Sequence, residues 1–181
     1  KYKKAGVLIL LKKDIGSNEF QILFTKRSSK LSTHSGEVSF PGGMWEEKDS
    51  SLFDTAMRES NEEIGLKKNN VMDLGRMNYL LSRHKVEVNP FVGYLENNQE
   101  LIGNFEIDEI FDVPVSFLLN NNNILYKEFK RNDLRISMPS WVYNGNRIWG
   151  LTALITADFL NMCFDAKIDT NVDLIRGYDQ Y

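Results

Sequence analysis

Apolar residues along this chain follow two different periods, one typical of β-strands and one typical of α-helices. Apolar runs bounded by turn residues predict strands at 5–11, 20–28 and 36–43 and, as two runs, within 71–96. The third run ends in a Pro-Gly-Gly loop. A hairpin is expected at 140–152, because Asn144-Gly145 at its centre is a favoured two-residue turn.

Apolar residues spaced by three and four positions predict two substantial helices. The first is expected to begin at an N-cap, Asp49 or Ser50, to continue through Ile64 and to end at Gly65. One stripe of this helix is mostly apolar and can face a sheet; it consists of Phe53, Ala56, Met57, Ser60 and Ile64. The last helix is expected at 151–164.

The remaining segments complete a single-domain pattern. Segment 105–119 mixes acidic and apolar residues, and Pro114 within it predicts the start of a short helix. Asparagine runs at 97–98 and 120–123 predict solvated loops. Strands separated by two substantial helices, without a repeat or a linker, predict one α/β domain over residues 1–181 with a mixed β-sheet.

Composition places the chain among globular proteins and narrows its partners. Of 181 residues, 42% are hydrophobic and 12% aromatic. The formal net charge of -3 argues against a nucleic-acid partner that needs a strongly basic surface. The single cysteine, Cys163, permits neither a disulfide framework nor a thiolate zinc site, which favours an intracellular location.

The N-terminal segment resembles a signal sequence only briefly. Its apolar stretch, 5–11, is short, lacks a small-residue cleavage site and is followed at once by Lys12 and Lys13, so a buried strand is favoured. No run of 18 apolar residues is present, and no membrane-spanning segment is expected. The chain opens on Lys rather than Met, which leaves upstream residues and a targeting segment open.

Three glutamates and an arginine, Arg58, Glu59, Glu62 and Glu63, crowd the last turns of the first helix. At about 100° per residue, Glu59 and Glu63 project within about 40° of each other at the edge of the apolar stripe. Like charges at this spacing repel each other. A divalent cation such as Mg²⁺ or Mn²⁺ would reverse that repulsion, because it prefers oxygen ligands. A solvent-screened acidic face is the alternative, and these residues alone favour it.

The glycines ahead of the helix shift this balance toward an ion site. Phe40, Pro41, Gly42 and Gly43 combine one fixed φ angle with two residues that lack Cβ, so backbone N–H groups can approach a phosphate closely. A lone Pro-Gly-Gly is usually only a turn. A glycine loop followed by a helix with clustered carboxylates is a less common succession.

The stretch 42–66, GGMWEEKDSSLFDTAMRESNEEIGL, resembles the Nudix box. That pattern is G-x5-E-x7-R-E-U-x-E-E-x-G-U, where U is a bulky aliphatic residue. The matching positions are Arg58, Glu59, Glu62, Glu63, Gly65 and Leu66. Ser60 stands where a bulky apolar residue is usual, and the spacing from Gly43 to Arg58 is one residue longer than the pattern. The acid of the first half is therefore ambiguous between Asp49 and a neighbour.

The longer spacing is similar to that of the coenzyme A diphosphatase branch of Nudix hydrolases. Residues 23–43 resemble the second signature of that branch, L-L-T-x-[RT]-[SA]-x3-R-x3-G-x3-F-P-G-G. Matching positions are Thr25, Arg27, Ser28, Gly36 and 40–43. Phe24 replaces a leucine and Ser32 replaces an arginine, while 147–153 resembles the start of the branch's final helix. The resemblance implies a Nudix-type α/β/α sandwich.

The resemblance also implies a catalytic set. Glu59, Glu62 and Glu63 would hold Mg²⁺ or Mn²⁺, which neutralises a pyrophosphate and lowers the pKa of a bound water. Arg58 would orient these carboxylates, with an ordinary ion pair to Glu62 as the alternative. A catalytic part is assigned to Glu109 as a candidate general base; it and Glu106 lie where this branch has acids, and both residues decorating a loop is the other interpretation.

Basic side chains are expected near a nucleotide that carries a 3′-phosphate. Arg27 is the first candidate, since a guanidinium group grips phosphate through two hydrogen bonds. The other substrate-binding candidates are Lys26, His34, Gly42 and Gly43, with Lys30 and Arg83 as weaker ones. Adenine could stack on Trp141, Trp149 or Phe159, although aromatic residues in such elements are usually core residues. Cys163 is expected to be a buried filler.

The leading hypothesis is metal-dependent hydrolysis of coenzyme A or acyl-coenzyme A to 3′,5′-ADP and 4′-phosphopantetheine or its acylated form. One alternative keeps the chemistry and changes the substrate to ADP-ribose, a dinucleotide or a damaged nucleotide, and Ser32 favours it. Another is a non-catalytic nucleotide-binding module. The expected partner is a small nucleotide rather than a nucleic acid or a membrane, a homodimer is left open, and the compartment is cytoplasm, mitochondrion or peroxisome.

Overall fold

The computed structural model describes residues 2–31, 34–97, 99–131 and 134–170. The chain divides into two compact units, residues 1–115 and 116–181. The single domain expected over 1–181 stays a prediction, and each unit is described by itself. Ser32, the replaced arginine position of the branch signature, lies outside the described residues.

The first unit contains a mixed sheet of eight strands, as predicted. Its strands are β1 (Lys3–Lys13), β2 (Phe20–Arg27), β3 (Val38–Ser39), β4 (Gly42–Met44), β5 (Val71–Arg76), β6 (Leu80–Leu81), β7 (Val86–Leu95) and β8 (Ile107–Pro114). β1 is central: it pairs parallel with β7 and antiparallel with β2 and β4. β2 also pairs antiparallel with β3 and β8, and β7 also pairs antiparallel with β5 and β6.

The core of this unit lies where the sheet meets the helix α1 (Leu52–Ile64). Leu8, Leu10 and Leu23 come from the sheet, and Ala56 and Met57 come from the predicted apolar stripe of the helix. Burying such side chains stabilises the fold by roughly 1.5–3 kcal/mol for each large one. The helix is therefore fixed to the central strands along the face that the sequence periodicity indicates.

The start of α1 differs from the prediction by one or two residues. The N-cap is Ser51 rather than Asp49 or Ser50: its backbone is extended and its hydroxyl accepts the Asp54 N–H at 3.1 Å. Asp49 does not cap the helix, because its carboxylate bonds to side chains of α1 instead. Gly65 is the C-cap as predicted, with a left-handed φ of 71°.

The expected Pro-Gly-Gly loop is wrong in part, because Gly42–Met44 forms strand β4. It pairs antiparallel with Ala5–Val7 of β1. A Cβ on Gly42 would lie 2.4 Å from Gly6 O and 2.6 Å from Val7 Cα. Two chain segments can approach this closely only where one lacks a side chain, so the glycine serves sheet packing.

Segment 105–119 contains a strand that the sequence did not predict. β8 occupies Ile107–Pro114 and pairs with β2, and α2 (Val115–Leu119) begins one residue after Pro114. The acidic residues that obscured this strand face outward, since Asp108 and Glu109 are exposed. Strong alternation was absent, which is why the pattern did not indicate a strand.

The second unit contains a three-stranded antiparallel sheet and a helix. Its strands are β9 (Leu125–Arg131), β10 (Leu134–Tyr143) and β11 (Asn146–Ile148), and the helix is α3 (Gly150–Phe164). The predicted hairpin and last helix are confirmed, and β9 was not predicted. Trp141 and Phe159 are buried core residues, whereas Trp149 is 46% exposed. The expectation that Cys163 is a buried filler is wrong, because this residue is exposed near the end of α3. Among the described residues, no helix is long and apolar enough to cross a membrane.

Candidate active site

Arg58 contacts two other members of a charged cluster on α1 and the loop before it. The cluster on α1 consists of Arg58, Glu59, Glu62 and Glu63. Its Nε donates to Asp49 Oδ1 at 2.8 Å and its Nη2 donates to Asp49 Oδ2 at 3.0 Å. Nη2 also donates to Met44 O, and Nη1 donates to Glu59 Oε1 at 2.9 Å. The guanidinium group therefore ties the helix to β4 and to the loop that follows it.

Asp49 is the acid of the first half of the motif that contacts Arg58 most closely. Its side chain is only 3% exposed, and it also accepts from Thr55 Oγ1 and from the Glu46 N–H. The hydrogen bonds from Arg58 hold the pKa of Asp49 well below its usual range, and Asp49 in turn raises the pKa of Arg58. Glu46 Oε1 lies farther from Arg58 Nη1, at 3.8 Å, and the assignment of the first-half acid to Asp49 stays a prediction.

Glu59 lies directly against the glycine strand. A Cβ on Gly43 would lie 2.4–2.7 Å from the carboxylate atoms of Glu59, so only glycine leaves room for this carboxylate. The Glu59 side chain is 20% exposed. Burial raises its pKa, opposed by the hydrogen bond from Arg58. Gly43 therefore makes space for a carboxylate in this structure, and its predicted contact to a phosphate stays a prediction.

Glu63 is the most buried acid of the cluster on α1. Its Oε2 accepts the Gly42 N–H at 3.1 Å, and its Oε1 lies 3.7 Å from Nη1 of Arg27. Burial raises its pKa to about 7, against the lowering effects of Gly42 and Arg27. The predicted phosphate-binding N–H of Gly42 is thus used by Glu63 in this structure.

Glu62 is more exposed than Glu59 and Glu63. Its side chain is 54% exposed and accepts from Arg58 Nη1 at 3.4 Å. The Arg58 guanidinium contacts Glu62, as the ion-pair alternative expects, and it also contacts Glu59 and Asp49. Its role in orienting metal-binding carboxylates stays a prediction.

The donor set fits a hard divalent cation, although the side chains do not enclose one. Among the described residues, no three His, Cys, Asp or Glu side chains are arranged as a metal centre. Two carboxylates of α1 nevertheless lie against β4, because the Glu59 carboxylate occupies the space that a Cβ on Gly43 would need, and Glu63 Oε2 accepts the Gly42 N–H. Both have raised pKa values, which a cation would relieve, and carboxylate oxygens suit Mg²⁺ or Mn²⁺.

Arg27 is the last residue of β2, and its side chain contacts the cluster at Glu63. Its Nη2 donates to Glu106 Oε2 at 3.2 Å, and its buried Nε has no hydrogen-bond partner within the part of the chain that the structure describes. Glu106 N–H, in turn, bonds to Asn104 Oδ1 at 2.8 Å. Arg27 thus lies among carboxylates, with one donor left for another acceptor.

The other predicted residues lie in different places. Glu109 faces Lys26 across the β2–β8 pairing, and Lys26 is also opposite Val38. His34 is exposed, has a φ of 54° and places Nδ1 2.7 Å from Glu37 Oε2. Of the two acids weighed at the start of segment 105–119, Glu106 contacts Arg27, and Glu109 is paired with Lys26.

Asn104 is a site residue that the sequence reasoning missed. Its backbone N–H donates to Glu63 O at 2.8 Å, and its side chain donates to Glu62 O at 3.0 Å. No period marks this residue, because it lies in an irregular segment between β7 and β8. Only the tertiary structure brings it to the end of α1.

Comparison with known proteins places this geometry in a family. A family profile for the NUDIX domain matches residues 3–123. The chain is 40% identical over 161 residues to Nudix hydrolase 15, mitochondrial, of Arabidopsis thaliana, covering 84% of this chain and 56% of that protein. It is 36% identical over 140 residues to the mitochondrial coenzyme A diphosphatase NUDT8 of Homo sapiens, covering 75% of this chain and 59% of that protein.

Solved structures agree on the fold. A MutT/nudix family protein from Enterococcus faecalis superposes with a TM-score of 0.63 at 16% identity, covering 98% of this chain and 68% of that one. The predicted α/β Nudix fold and the predicted family are confirmed, and the relative named as a coenzyme A diphosphatase supports the predicted branch. The chain spans less than two thirds of the length of the two curated relatives described above. On these matches, the chain belongs to the Nudix hydrolase family.

Proposed function

We propose that this chain hydrolyses the pyrophosphate bond of coenzyme A or acyl-coenzyme A, in a reaction that depends on Mg²⁺ or Mn²⁺. The products are 3′,5′-ADP and 4′-phosphopantetheine or its acylated form. The observation that carries the chemistry is that two carboxylates, the half-buried Glu59 and the buried Glu63, lie against the glycines of β4. The substrate class rests on the similarity to a protein named mitochondrial coenzyme A diphosphatase.

Glu59, Glu63 and the more exposed Glu62 are the proposed metal-binding residues. A bound cation supplies charge neutralisation for the pyrophosphate and lowers the pKa of a coordinated water. Arg58 holds the carboxylate of Glu59 in place, and Asp49 holds Arg58 in place. The Glu59 carboxylate is thereby oriented before a substrate binds, so less reorganisation of the site is needed during the reaction.

Arg27 is the proposed contact to a substrate phosphate. Its guanidinium group is partly exposed and its Nη1 lies 3.7 Å from Glu63 Oε1, so a phosphate bound to Arg27 would also face Glu63. Lys26, His34, Gly42 and Gly43 stay proposals for the substrate site. Glu109 stays a proposal as general base, and Glu106 has the closer contact to the cluster.

The proposed partner is therefore a small nucleotide, with no nucleic acid and no membrane, and a homodimer stays open. The proposed location is intracellular. Two relatives are named as mitochondrial proteins, and the compartment of this chain follows from neither name.

The test is product analysis after incubation with coenzyme A, ADP-ribose and a dinucleoside polyphosphate, each with Mg²⁺, with Mn²⁺ and with a chelator. We expect 3′,5′-ADP to form from coenzyme A only when a cation is present. Preferential turnover of ADP-ribose or the dinucleotide would keep the Nudix chemistry and reject the substrate. No turnover of any of the three would favour the nucleotide-binding module.

Glu63→Gln is the variant that tests the metal-binding assignment. Glutamine keeps the shape and can still accept the Gly42 N–H, so the fold should persist while the charge is lost. Turnover should fall about 100-fold or more, because even groups that only support metal ligands change activity by about 10–100-fold. Glu47→Gln, an exposed acid outside the cluster, is the matched control. Equal activity in the two variants would reject Glu63 as a ligand.

A further inference from the structure

The segment between β7 and β8 contains one residue, Asn104, that contacts both the end of α1 and the partner of Arg27. Its N–H and its side-chain amide donate to the carbonyls of Glu63 and Glu62 at 2.8 Å and 3.0 Å. Its side-chain oxygen accepts the Glu106 N–H at 2.8 Å. One half-buried side chain therefore connects two parts of the charged cluster.

The bonds to α1 complete the helix end. The last carbonyls of a helix have no intrahelical partner and need one from elsewhere. Ile102 N–H bonds to Ile64 O at 3.1 Å, and Asn104 supplies donors for Glu62 and Glu63. Helix capping accounts for these contacts, but it does not require the additional bond from the Glu106 N–H to Asn104 Oδ1.

That additional bond closes a ring of contacts around Glu63. From the backbone of Glu63 the ring passes to Asn104, then to the Glu106 N–H, and through the Glu106 carboxylate to Arg27 Nη2. Arg27 Nη1 returns to the Glu63 carboxylate at 3.7 Å. The backbone of Glu106 is also fixed, because its carbonyl accepts the Ser28 N–H at 2.7 Å.

We propose that Asn104 is a positioning residue, which holds the Glu106 carboxylate where it keeps the Arg27 guanidinium oriented and partly drawn away from Glu63. This inference rests on the proposed function only for the role of Arg27 toward a substrate phosphate. Without the bond to its N–H, the Glu106 backbone still has its carbonyl bound to the Ser28 N–H, but the Glu106 carboxylate is held less firmly against Arg27, which then pairs more closely with Glu63. The guanidinium group would compete with a cation for that carboxylate and leave its phosphate-binding position.

Three variants separate positioning from capping. Asn104→Ala removes both side-chain bonds. Asn104→Asp keeps an oxygen for the Glu106 N–H, an arrangement that aspartate favours two residues ahead of the amide. It loses the donor to Glu62 O and adds a negative charge at a helix C-terminus, which is destabilising. Gln99→Ala is the matched control, since Gln99 lies in the same segment and donates to Gly65 O at the same helix end.

The two Asn104 variants are expected to have opposite orders of stability and activity. Thermal midpoints should fall in Asn104→Ala and Gln99→Ala, and at least as far in Asn104→Asp. The kcat for coenzyme A should fall about tenfold or more in Asn104→Ala, stay close to wild type in Asn104→Asp and be unchanged in Gln99→Ala. Activity that follows stability across the three variants would overturn the proposal, because capping alone would then explain Asn104.

Mn²⁺ affinity, measured by electron paramagnetic resonance, tests the same idea without turnover. The dissociation constant should rise about tenfold in Asn104→Ala and less in Asn104→Asp and Gln99→Ala. If wild type turns over no substrate, the proposed function fails and this order alone decides the positioning role; equal affinities would overturn it. If Asn104→Ala does not fold, Asn104→Leu, which has a similar shape and no hydrogen-bonding atoms, takes its place.

Discussion

The contact between Asp49 and Arg58 gives a stability prediction that the structure makes quantitative. Asp49 Oδ1 accepts from Arg58 Nε, while Oδ2 accepts from Arg58 Nη2, Thr55 Oγ1 and the Glu46 N–H. In the variant Asp49→Asn, the remaining oxygen can replace Oδ2, and the amide nitrogen then faces the Nε–H donor. One charge-assisted hydrogen bond is lost and one donor is left unpaired in a largely buried place.

A charge-assisted hydrogen bond contributes about 1.5–3 kcal/mol. We therefore expect Asp49→Asn to lower the free energy of unfolding by about 2–3 kcal/mol at pH 7. For a chain of this size each kcal/mol corresponds to about 2–4 °C, so the thermal midpoint should fall by about 4–12 °C. The assay is urea unfolding followed by circular dichroism, with Glu47→Gln as an exposed control in the same loop.

The effect should depend on pH in one direction. Arg58 holds the pKa of Asp49 below its ordinary value of 3.8, so the unfolded chain takes up the proton first as pH falls. The stabilisation is complete above about pH 5 and is lost as pH decreases toward the folded pKa. The difference between wild type and variant should therefore shrink below pH 4. A difference under about 0.5 kcal/mol at pH 7, or one that is constant down to pH 3, would refute the reasoning.

Four further variants test other features. Gly43→Ala should displace the Glu59 carboxylate, which weakens Mn²⁺ binding about tenfold in a resonance titration with little change in thermal midpoint. Replacing the exposed Arg83 and Lys85 by Ala should raise KM for coenzyme A about tenfold and leave KM for dephospho-coenzyme A unchanged. Ser60→Ala should change the unfolding free energy by less than about 0.5 kcal/mol, because the Ser60 hydroxyl bonds only its own helix, whereas Ser60→Leu should cost about 1–3 kcal/mol by overpacking.

Each of these has a control and a contrary result. Gly16→Ala lies in an exposed turn, and equal Mn²⁺ affinity in both glycine variants would contradict the Gly43 argument. Lys3→Ala with Lys67→Ala removes the same charge at exposed positions elsewhere. A similar rise in KM for coenzyme A and for dephospho-coenzyme A would mean that Arg83 and Lys85 do not bind the 3′-phosphate. A stable Ser60→Leu protein would mean that the helix–sheet packing is looser than the burial of Ser60 indicates.

The parts of the fold that sequence periodicity predicted are those that bury one face of a local element. Ala56, Met57 and Ile64 are buried on α1 as the stripe predicted, and the run of β1 is buried at Leu8, Ile9 and Leu10. Such patterns can be found because the residues that share a face recur at fixed spacing along the chain. The C-cap at Gly65 could be found for a similar reason, since its requirement is local.

Non-local contacts decided the features that were missed. The expected N-cap was Asp49 or Ser50, and Asp49 does not cap the helix because Arg58 and Thr55 bind its carboxylate. The strand Gly42–Met44 exists because it meets β1, and three residues are too few to show a period. Asn104 and Glu106 reach the cluster through an irregular segment, where sequence spacing carries no information about direction.

Charge balance explains why these residues belong together. Arg58 contacts four carboxylates and Arg27 contacts two, so six carboxylates share two guanidinium groups; the six belong to Glu46, Asp49, Glu59, Glu62, Glu63 and Glu106. The carboxylates outnumber the guanidinium groups, so a net negative charge remains in the cluster. Burial disfavours this charge and thereby raises the pKa values of Glu59 and Glu63. A pyrophosphate is itself an anion and would be repelled by this cluster. The chelator should therefore abolish binding of coenzyme A as well as its turnover, and chelator-insensitive binding would show that the substrate does not meet these carboxylates.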